Sequence, residues 1–98
     1  MIVEHAILNV IPGEEESFEV ALRDALSFIS SAEDFISIRV VRGIESPSTY
    51  VLLVEWETLE AHTEGFRGSE AFGKWRAALH HFYDPFPTVE HFTVIAEA

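Results

Sequence analysis

The sequence predicts an α+β fold of the ferredoxin-like type, with the order β-α-β-β-α-β, an antiparallel sheet and both helices on one face. Four segments have the apolar patterns of strands, and two have apolar residues three or four positions apart, as in helices. The first and third strands are apolar toward both sides, so both faces of the sheet need a cover. A chain of 98 residues has no element left for the second face. We therefore expect one domain over residues 1–98, and a homodimer in which two sheets pack together.

The first half of the chain contains a strand, a helix and a second strand. Residues 3–11 form the first predicted strand, which Pro12-Gly13 ends. Glutamates 14–16 place negative charge where the helix dipole favours it, at the start of a helix that runs to about Ser30. The apolar stripe of this helix consists of Phe18, Leu22, Ala25 and Ile29. Residues 35–43 then form the second strand.

The second half begins with a strand over 49–57, which Ser46-Pro47-Ser48 joins to the preceding strand as a hairpin. Thr58 is an N-cap for a short helix over residues 59–66, and Ser69 caps the next helix. Prolines 85 and 87 end that helix, and residues 88–95 form the last strand. The inward face of the second helical segment consists of Phe72, Trp75, Leu79 and Phe82.

Charge and composition exclude several classes of function. Seventeen acidic and six basic residues give a formal charge of −11, which repels nucleic acid and anionic lipid. The absence of cysteine excludes a thiol nucleophile and cysteine-ligated metal. The longest apolar run, residues 50–54, is far too short to span a membrane. We expect a soluble, cytoplasmic protein that has neither nucleic acid nor a membrane as its partner.

Five histidines are the natural candidates for proton transfer near neutral pH. His62 lies three residues after Leu59 and four before Phe66, and is therefore either a packing residue or a buried base that aromatic neighbours hold neutral. His80 and His81 lie well off the apolar stripe of their helix, so we expect both at the surface.

His5 and Asn9 share one side of the first strand, and this side faces either a cavity or a dimer interface. A metal site could combine His5 and His91 with Glu4 or Glu90. Adjacent strand residues face opposite ways, however, so we expect no bound metal.

Aromatic residues are concentrated in the second half of the chain. By default they form core, but they are numerous enough to line an apolar pocket for a flat ligand. Arg39 and Arg76 could bind an acidic oxygen of such a ligand. The aromatic residues are Trp56, Phe66, Phe72, Trp75, Phe82, Tyr83 and Phe86.

Residues 54–62, VEWETLEAH, and 66–75, FRGSEAFGKW, resemble the antibiotic biosynthesis monooxygenase (ABM) family. The resemblance extends from the first strand through residues 11–13 to the closing segment 87–92, PTVEHF. It implies a dimeric α/β barrel of two ferredoxin-like protomers, with an apolar pocket between sheet and helices in each. Members of this family include cofactor-free monooxygenases, haem-degrading monooxygenases and proteins without an assigned role.

The resemblance favours a cofactor-independent monooxygenase that oxidises a small aromatic, phenolic or quinol-like compound with O2. Haem degradation ranks last, because Arg76 stands where those relatives carry a histidine. The alternative is a non-catalytic dimeric module that binds a small hydrophobic ligand, or a dimer with a collapsed pocket. In the enzyme, His62 would be the base or a proton shuttle, and Asn9 and Arg39 would orient oxygens. The residues in contact with the substrate would be Trp56, Phe66, Phe72 and Trp75.

Overall fold

The computed structural model describes residues 1–98 and confirms the predicted order β-α-β-β-α-β. Two short turns of helix flank the second α-helix. The elements are β1 (Ile2–Asn9), α1 (Glu15–Ser30), β2 (Phe35–Arg42), β3 (Thr49–Trp56), a π-helical turn (Ala61–Phe66), α2 (Glu70–Leu79), a 3₁₀ turn (His80–Phe82) and β4 (Val89–Thr93).

The four strands form one antiparallel sheet in the order β2-β3-β1-β4. β1 is central and pairs with β3 on one side and β4 on the other. In this register Glu4 lies between Val54 and His91. Directly paired residues point to the same face of a sheet, so the side chains of these three residues share one face.

Both α-helices cover that same face, which we call the helix face. Along β1 the buried residues are Glu4, Ala6 and Leu8, and they alternate with residues that are more exposed. The helices contribute their predicted stripes, with Phe18 fully buried and packed edge-on against Tyr50 at 5.0 Å between ring centroids. The hydrophobic core therefore lies in a single layer between sheet and helices.

The opposite face of the sheet, which we call the open face, has no covering element within the chain. Ile7 on β1 is 47% exposed and Phe92 on β4 is 51% exposed, whereas Ala6, next to Ile7 in sequence, is 1% exposed. The structure places His5 and Asn9 on this open face, where the ring of His5 packs edge-on against Phe92.

The segment between β3 and α2, where the sequence predicts a short helix over residues 59–66, is mostly a π-helical turn over Ala61–Phe66. The backbone N–H of Arg67 donates to the carbonyl of His62 at 3.1 Å, a bond from i+5 to i that is typical of a π-helix. Both predicted caps are present: Thr58 Oγ1 accepts from the N–H of Ala61, and Ser69 Oγ accepts from the N–H of Phe72. None of the helices combines the length and apolar character that crossing a bilayer would require.

Candidate active site

A cavity of about 300 Å³ lies between the helix face of the sheet, the π-helical turn and α2. Its wall is mostly apolar, and a few polar groups converge on it, as in small-molecule sites generally. The apolar wall is formed by Ala6, Leu8, Ile29, Leu52, Phe66, Phe72, Trp75, Tyr83, Phe86, Pro87 and Val89. The polar groups are Glu4, His62, Arg67, Arg76 and His80.

A second concave region, of about 320 Å³, lies between α1 and β2. Its charged residues already have partners within the chain. Glu19 pairs with Arg42 at 3.1 Å and with Arg23 at 3.5 Å, and the hydroxyl of Tyr50 donates a hydrogen bond to Glu19 Oε2 at 2.7 Å. This region therefore has fewer free polar groups for a ligand than the first cavity.

Glu4 brings a carboxyl group to the wall of the first cavity. It is only 5% exposed, because it shares the inward side of β1 with Ala6 and Leu8. The indole N–H of Trp56 donates to its Oε1 at 3.0 Å. Burial raises the pKa of Glu4, and the Trp56 hydrogen bond and the charge of Arg67 oppose that rise. Glu4 is therefore a buried carboxyl with one fixed donor.

His62 lies beside Glu4 on the π-helical turn. Its Nε2 is 3.4 Å from Glu4 Oε1, and its ring stacks on Trp56 with 5.5 Å between centroids and 19° between planes. The residue is 3% exposed, and burial, together with Arg67 and His91, lowers its pKa to about 4. At neutral pH the imidazole is therefore uncharged, and one of its two nitrogens carries a lone pair that can accept a proton.

His91 continues this line of polar groups toward the edge of the sheet. Its Nε2 and His62 Nδ1 share a hydrogen bond of 2.8 Å. His91 is half-buried on the edge strand β4, and burial followed by the charge of Arg67 lowers its pKa. We call these three side chains the Glu4–His62–His91 chain; it runs from the cavity wall to the edge of the sheet.

Three of the aromatic residues predicted to contact a substrate form one wall of the cavity. The ring of Phe66 packs edge-on against Phe72 at 5.5 Å and against Trp75 at 6.4 Å. The fourth, Trp56, is fully buried behind His62, and its ring is not among the cavity-lining groups. The structure therefore brings Phe66, Phe72 and Trp75 together around the cavity and places Trp56 behind them.

The basic groups at the cavity are Arg67, Arg76 and His80. No carboxylate lies within ion-pair distance of the guanidinium of Arg67 or of Arg76. The expectation that His80 lies at the surface is wrong: α2 ends at Leu79, and the 3₁₀ turn that follows directs this ring toward Phe86, at 5.0 Å between centroids. Burial and the charge of Arg76 lower the pKa of His80.

Asn9 and Arg39 do not reach this cavity. Asn9 lies on the same side of β1 as His5 and Ile7, which is the open face. Arg39 pairs with Leu53 on that same face. Both side chains are therefore separated from His62 by the thickness of the sheet, and the orienting role expected for them has no support from their positions.

Sequence reasoning considered Glu4 and His91 together only as metal ligands with His5, and it missed their grouping with His62 and Arg67. A signal was present for Glu4, since it is the one charged residue on the apolar side of β1. Its neighbours come from distant parts of the chain, and their proximity depends on strand register.

In the structure, no group of three His, Cys, Asp or Glu side chains is arranged to hold a metal ion.

Comparison with known proteins identifies the family. The model of the family described as "Antibiotic biosynthesis monooxygenase" (ABM) matches residues 1–78. The chain belongs to the ABM family. A curated relative of this ABM protein, the uncharacterised YczJ of Bacillus subtilis, is 51% identical over 92 residues, which cover 94% of this chain and 97% of YczJ.

Solved structures agree with this ABM assignment. A candidate antibiotic biosynthesis monooxygenase from Bordetella bronchiseptica has a TM-score of 0.92 and 33% identity, with 97% of both chains covered. SnoaB, a cofactor-independent oxygenase from Streptomyces nogalater, has a TM-score of 0.84 and 17% identity, with 98% of this ABM chain and 94% of SnoaB covered. The likeness to SnoaB supports the fold alone.

Proposed function

We propose that this protein is a monooxygenase that needs no cofactor and oxidises a small aromatic, phenolic or quinol-like compound with O2. The observation that carries the proposal is the position of His62, a neutral buried imidazole that lines an aromatic cavity beside the carboxyl of Glu4. Such an arrangement places a proton acceptor where an apolar substrate would bind.

The first step is removal of a proton from the substrate. A phenol O–H or an activated C–H gives its proton to Nε2 of His62, and the substrate keeps the electron pair as an anion. The cavity wall excludes water from this anion, which keeps it reactive, and the guanidinium of Arg67 offers a positive charge near the base. His62 is the catalytic residue in this proposal.

The second step uses the substrate itself as the reductant. The anion passes one electron to O2, and the resulting radical and superoxide combine to form a C–O bond. A proton converts the peroxide anion to a hydroperoxide, which loses water and leaves a carbonyl. When the oxidised carbon is a methylene, its two hydrogens leave as water and a carbonyl remains, so one oxygen atom of O2 enters the product and the other enters water.

Substrate size and class follow from the wall of the cavity. A volume of about 300 Å³ is at the low end for ligand sites, which favours a compact molecule of a few rings. Phe66, Phe72 and Trp75 offer aromatic surface for such rings, and Arg76 offers a hydrogen-bond donor for an acidic oxygen.

The proposed enzyme is a homodimer. The apolar residues of the open face, which include Ile7, Val41 and Phe92, remain exposed in the single chain. Packing of two open faces would remove them from water and give the barrel that the ABM family suggests. Because His5, Asn9 and Arg39 lie on this face, we propose that they contact the second protomer.

Oxygen consumption by metal-stripped protein tests the proposed activity. The panel consists of anthrones, naphthoquinols and catechols, each measured against its own autoxidation. We expect uptake with at least one compound, a loss of about 100-fold in His62→Ala, and a smaller loss in Trp75→Ala. His81→Ala is the control, because His81 is exposed and does not line the cavity.

The opposite result would favour the binding module. If no compound raises oxygen uptake but members of the panel quench the tryptophan fluorescence of the protein, the cavity binds a ligand without turnover. Uptake that survives unchanged in His62→Ala would remove His62 from the mechanism and leave the monooxygenase activity itself standing.

A further inference from the structure

We propose that His91 is a proton-relay residue, which carries protons between His62 and solvent while a substrate fills the cavity. The inference rests on the proposed function, because it concerns the path of the proton that His62 removes. It assigns a role to a residue on β4 that does not line the cavity.

The first argument is the isolation of the proposed base. His62 is 3% exposed, Glu4 is 5% exposed, and a substrate in the cavity would close the side that they line. Of the groups that touch them, the indole N–H of Trp56 is a donor only and cannot accept a proton in exchange. His91 is the remaining neighbour with both an acceptor and a donor nitrogen.

The second argument is the geometry of the two imidazoles. The N–N distance of 2.8 Å is short enough for direct transfer of a proton along the shared hydrogen bond. The ring centroids lie 5.0 Å apart. Each ring has a second nitrogen on its far side: Nε2 of His62 lies beside Glu4 at the cavity, and Nδ1 of His91 belongs to a half-buried side chain at the sheet edge.

The proton balance on the outward path is simple. Nε2 of His62 takes a proton from the substrate, and Nδ1 of His62 passes its own proton to Nε2 of His91. Nδ1 of His91 then releases a proton to water. One proton enters the pair and one leaves, so both rings are neutral before and after, and each has changed its tautomer.

The same path runs backward when the peroxide anion needs a proton. Nε2 of His62 donates to the peroxide oxygen, Nδ1 of His62 is reprotonated from Nε2 of His91, and Nδ1 of His91 takes a proton from water. Both rings return to their first tautomers. Charge never has to remain on His62, which is consistent with two largely buried rings beside the positive charge of Arg67.

Two substitutions separate a relay from a structural role. His91→Gln keeps an amide that can hydrogen-bond to Nδ1 of His62 but cannot exchange protons as an imidazole does, whereas His91→Ala leaves space for added imidazole. We expect oxygen uptake to fall about 10-fold or more in both variants. Imidazole should restore His91→Ala and leave His91→Gln unchanged. His81→Gln, an exposed histidine on the 3₁₀ turn, is the control.

Each outcome of this experiment bears on the relay. Full activity in His91→Gln would overturn it and would leave the monooxygenase intact. Activity that imidazole fails to restore in a folded His91→Ala would also overturn it.

A measurement without turnover keeps the relay separate from the reaction. In ¹⁵N-labelled protein, we expect a scalar coupling between Nδ1 of His62 and Nε2 of His91 through the shared proton, lost in His91→Gln. Two uncoupled rings would overturn the relay even if the enzyme oxidises its substrate. A coupled pair would establish the hydrogen bond along which the relay requires protons to move, even if the panel contains no substrate.

Discussion

The indole N–H of Trp56 donates a hydrogen bond of 3.0 Å to the carboxyl of Glu4, across two adjacent strands and 52 residues of sequence. The same indole ring stacks on His62. Trp56 thus fixes the positions of two polar side chains that the surrounding apolar wall could not orient. Burial of these three residues makes their mutual contacts important for both stability and chemistry.

Replacing Trp56 by Phe tests this arrangement. The variant leaves the buried carboxyl of Glu4 without its donor, so we expect the free energy of unfolding to fall by about 2–4 kcal/mol, from the lost partner and the lost volume together. Urea denaturation measures the loss. Trp75→Phe is the matched control, because it removes the same atoms from a buried indole that donates no side-chain hydrogen bond. Equal losses in the two variants would contradict the importance of the Trp56–Glu4 bond.

Stability should depend on the pH through His62. Its pKa is about 4 in the folded chain and 6.5 ordinarily, so between these values the unfolded state binds a proton that the folded state does not. This contribution to stability is present above pH 6.5 and is lost as the pH falls toward 4. The difference between the two pKa values corresponds to about 3 kcal/mol.

The check compares the unfolding free energies of the original protein and of His62→Gln at about pH 7 and about pH 4.5. The raised pKa of Glu4 changes stability with pH in the opposite direction. Its contribution to the free energy of unfolding is present below about pH 4.5 and is lost as the pH rises. We expect the original protein to lose more stability than His62→Gln on acidification. Parallel losses in both proteins would show that His62 titrates in the folded state as it does in the unfolded chain.

Arg76 should favour acidic ligands. Arg76→Met removes a guanidinium that has no carboxylate partner in the chain, and we expect 1-hydroxy-2-naphthoic acid to bind about fivefold more weakly, or about 1 kcal/mol. Binding of 1-naphthol, which lacks the carboxylate, should change little. Calorimetric titration gives both affinities. Lys74→Met is the control, because it removes an exposed charge from the same helix and away from the cavity.

The open face should control self-association. Ile7→Glu places a charge at the centre of that face, so we expect light scattering to give the mass of a monomer for this variant and of a dimer for the original protein. Val20→Glu is the control, since Val20 is 54% exposed on α1, away from the sheet. A monomeric original protein at micromolar concentration would contradict packing through this face.

The order of elements and the apolar stripes of the helices were predictable, because the spacing of apolar residues along the chain depends only on local sequence. The parity of β1 correctly separated Ala6 and Leu8 from Ile7 and Asn9. Which side carried the helices was not predictable, because both sides of the strand are apolar. This ambiguity explains the prediction of Asn9 near His62, although the sheet separates them.

The polar groups of the cavity were harder to predict than the fold. Glu4 and His91 are adjacent because β1 and β4 pair in one particular register, and a shift of one residue would place them on opposite faces. The prediction for His80 failed because it assumed a constant helical angle beyond Leu79, where the chain changes to a 3₁₀ turn. The aromatic wall was predictable, since Phe72 and Trp75 lie within one regular helix.

In the π-helical turn, the number of residues affects the geometry of the cavity, independently of which residues they are. Its wider hydrogen-bonded ring contains one residue more than an α-helical turn. Deleting a single residue such as Thr63 would restore the tighter winding and rotate His62 relative to Phe66, although both would still be present. A one-residue gap in an alignment of relatives at this position therefore marks a change in the geometry of the cavity, even where every cavity-lining residue is conserved.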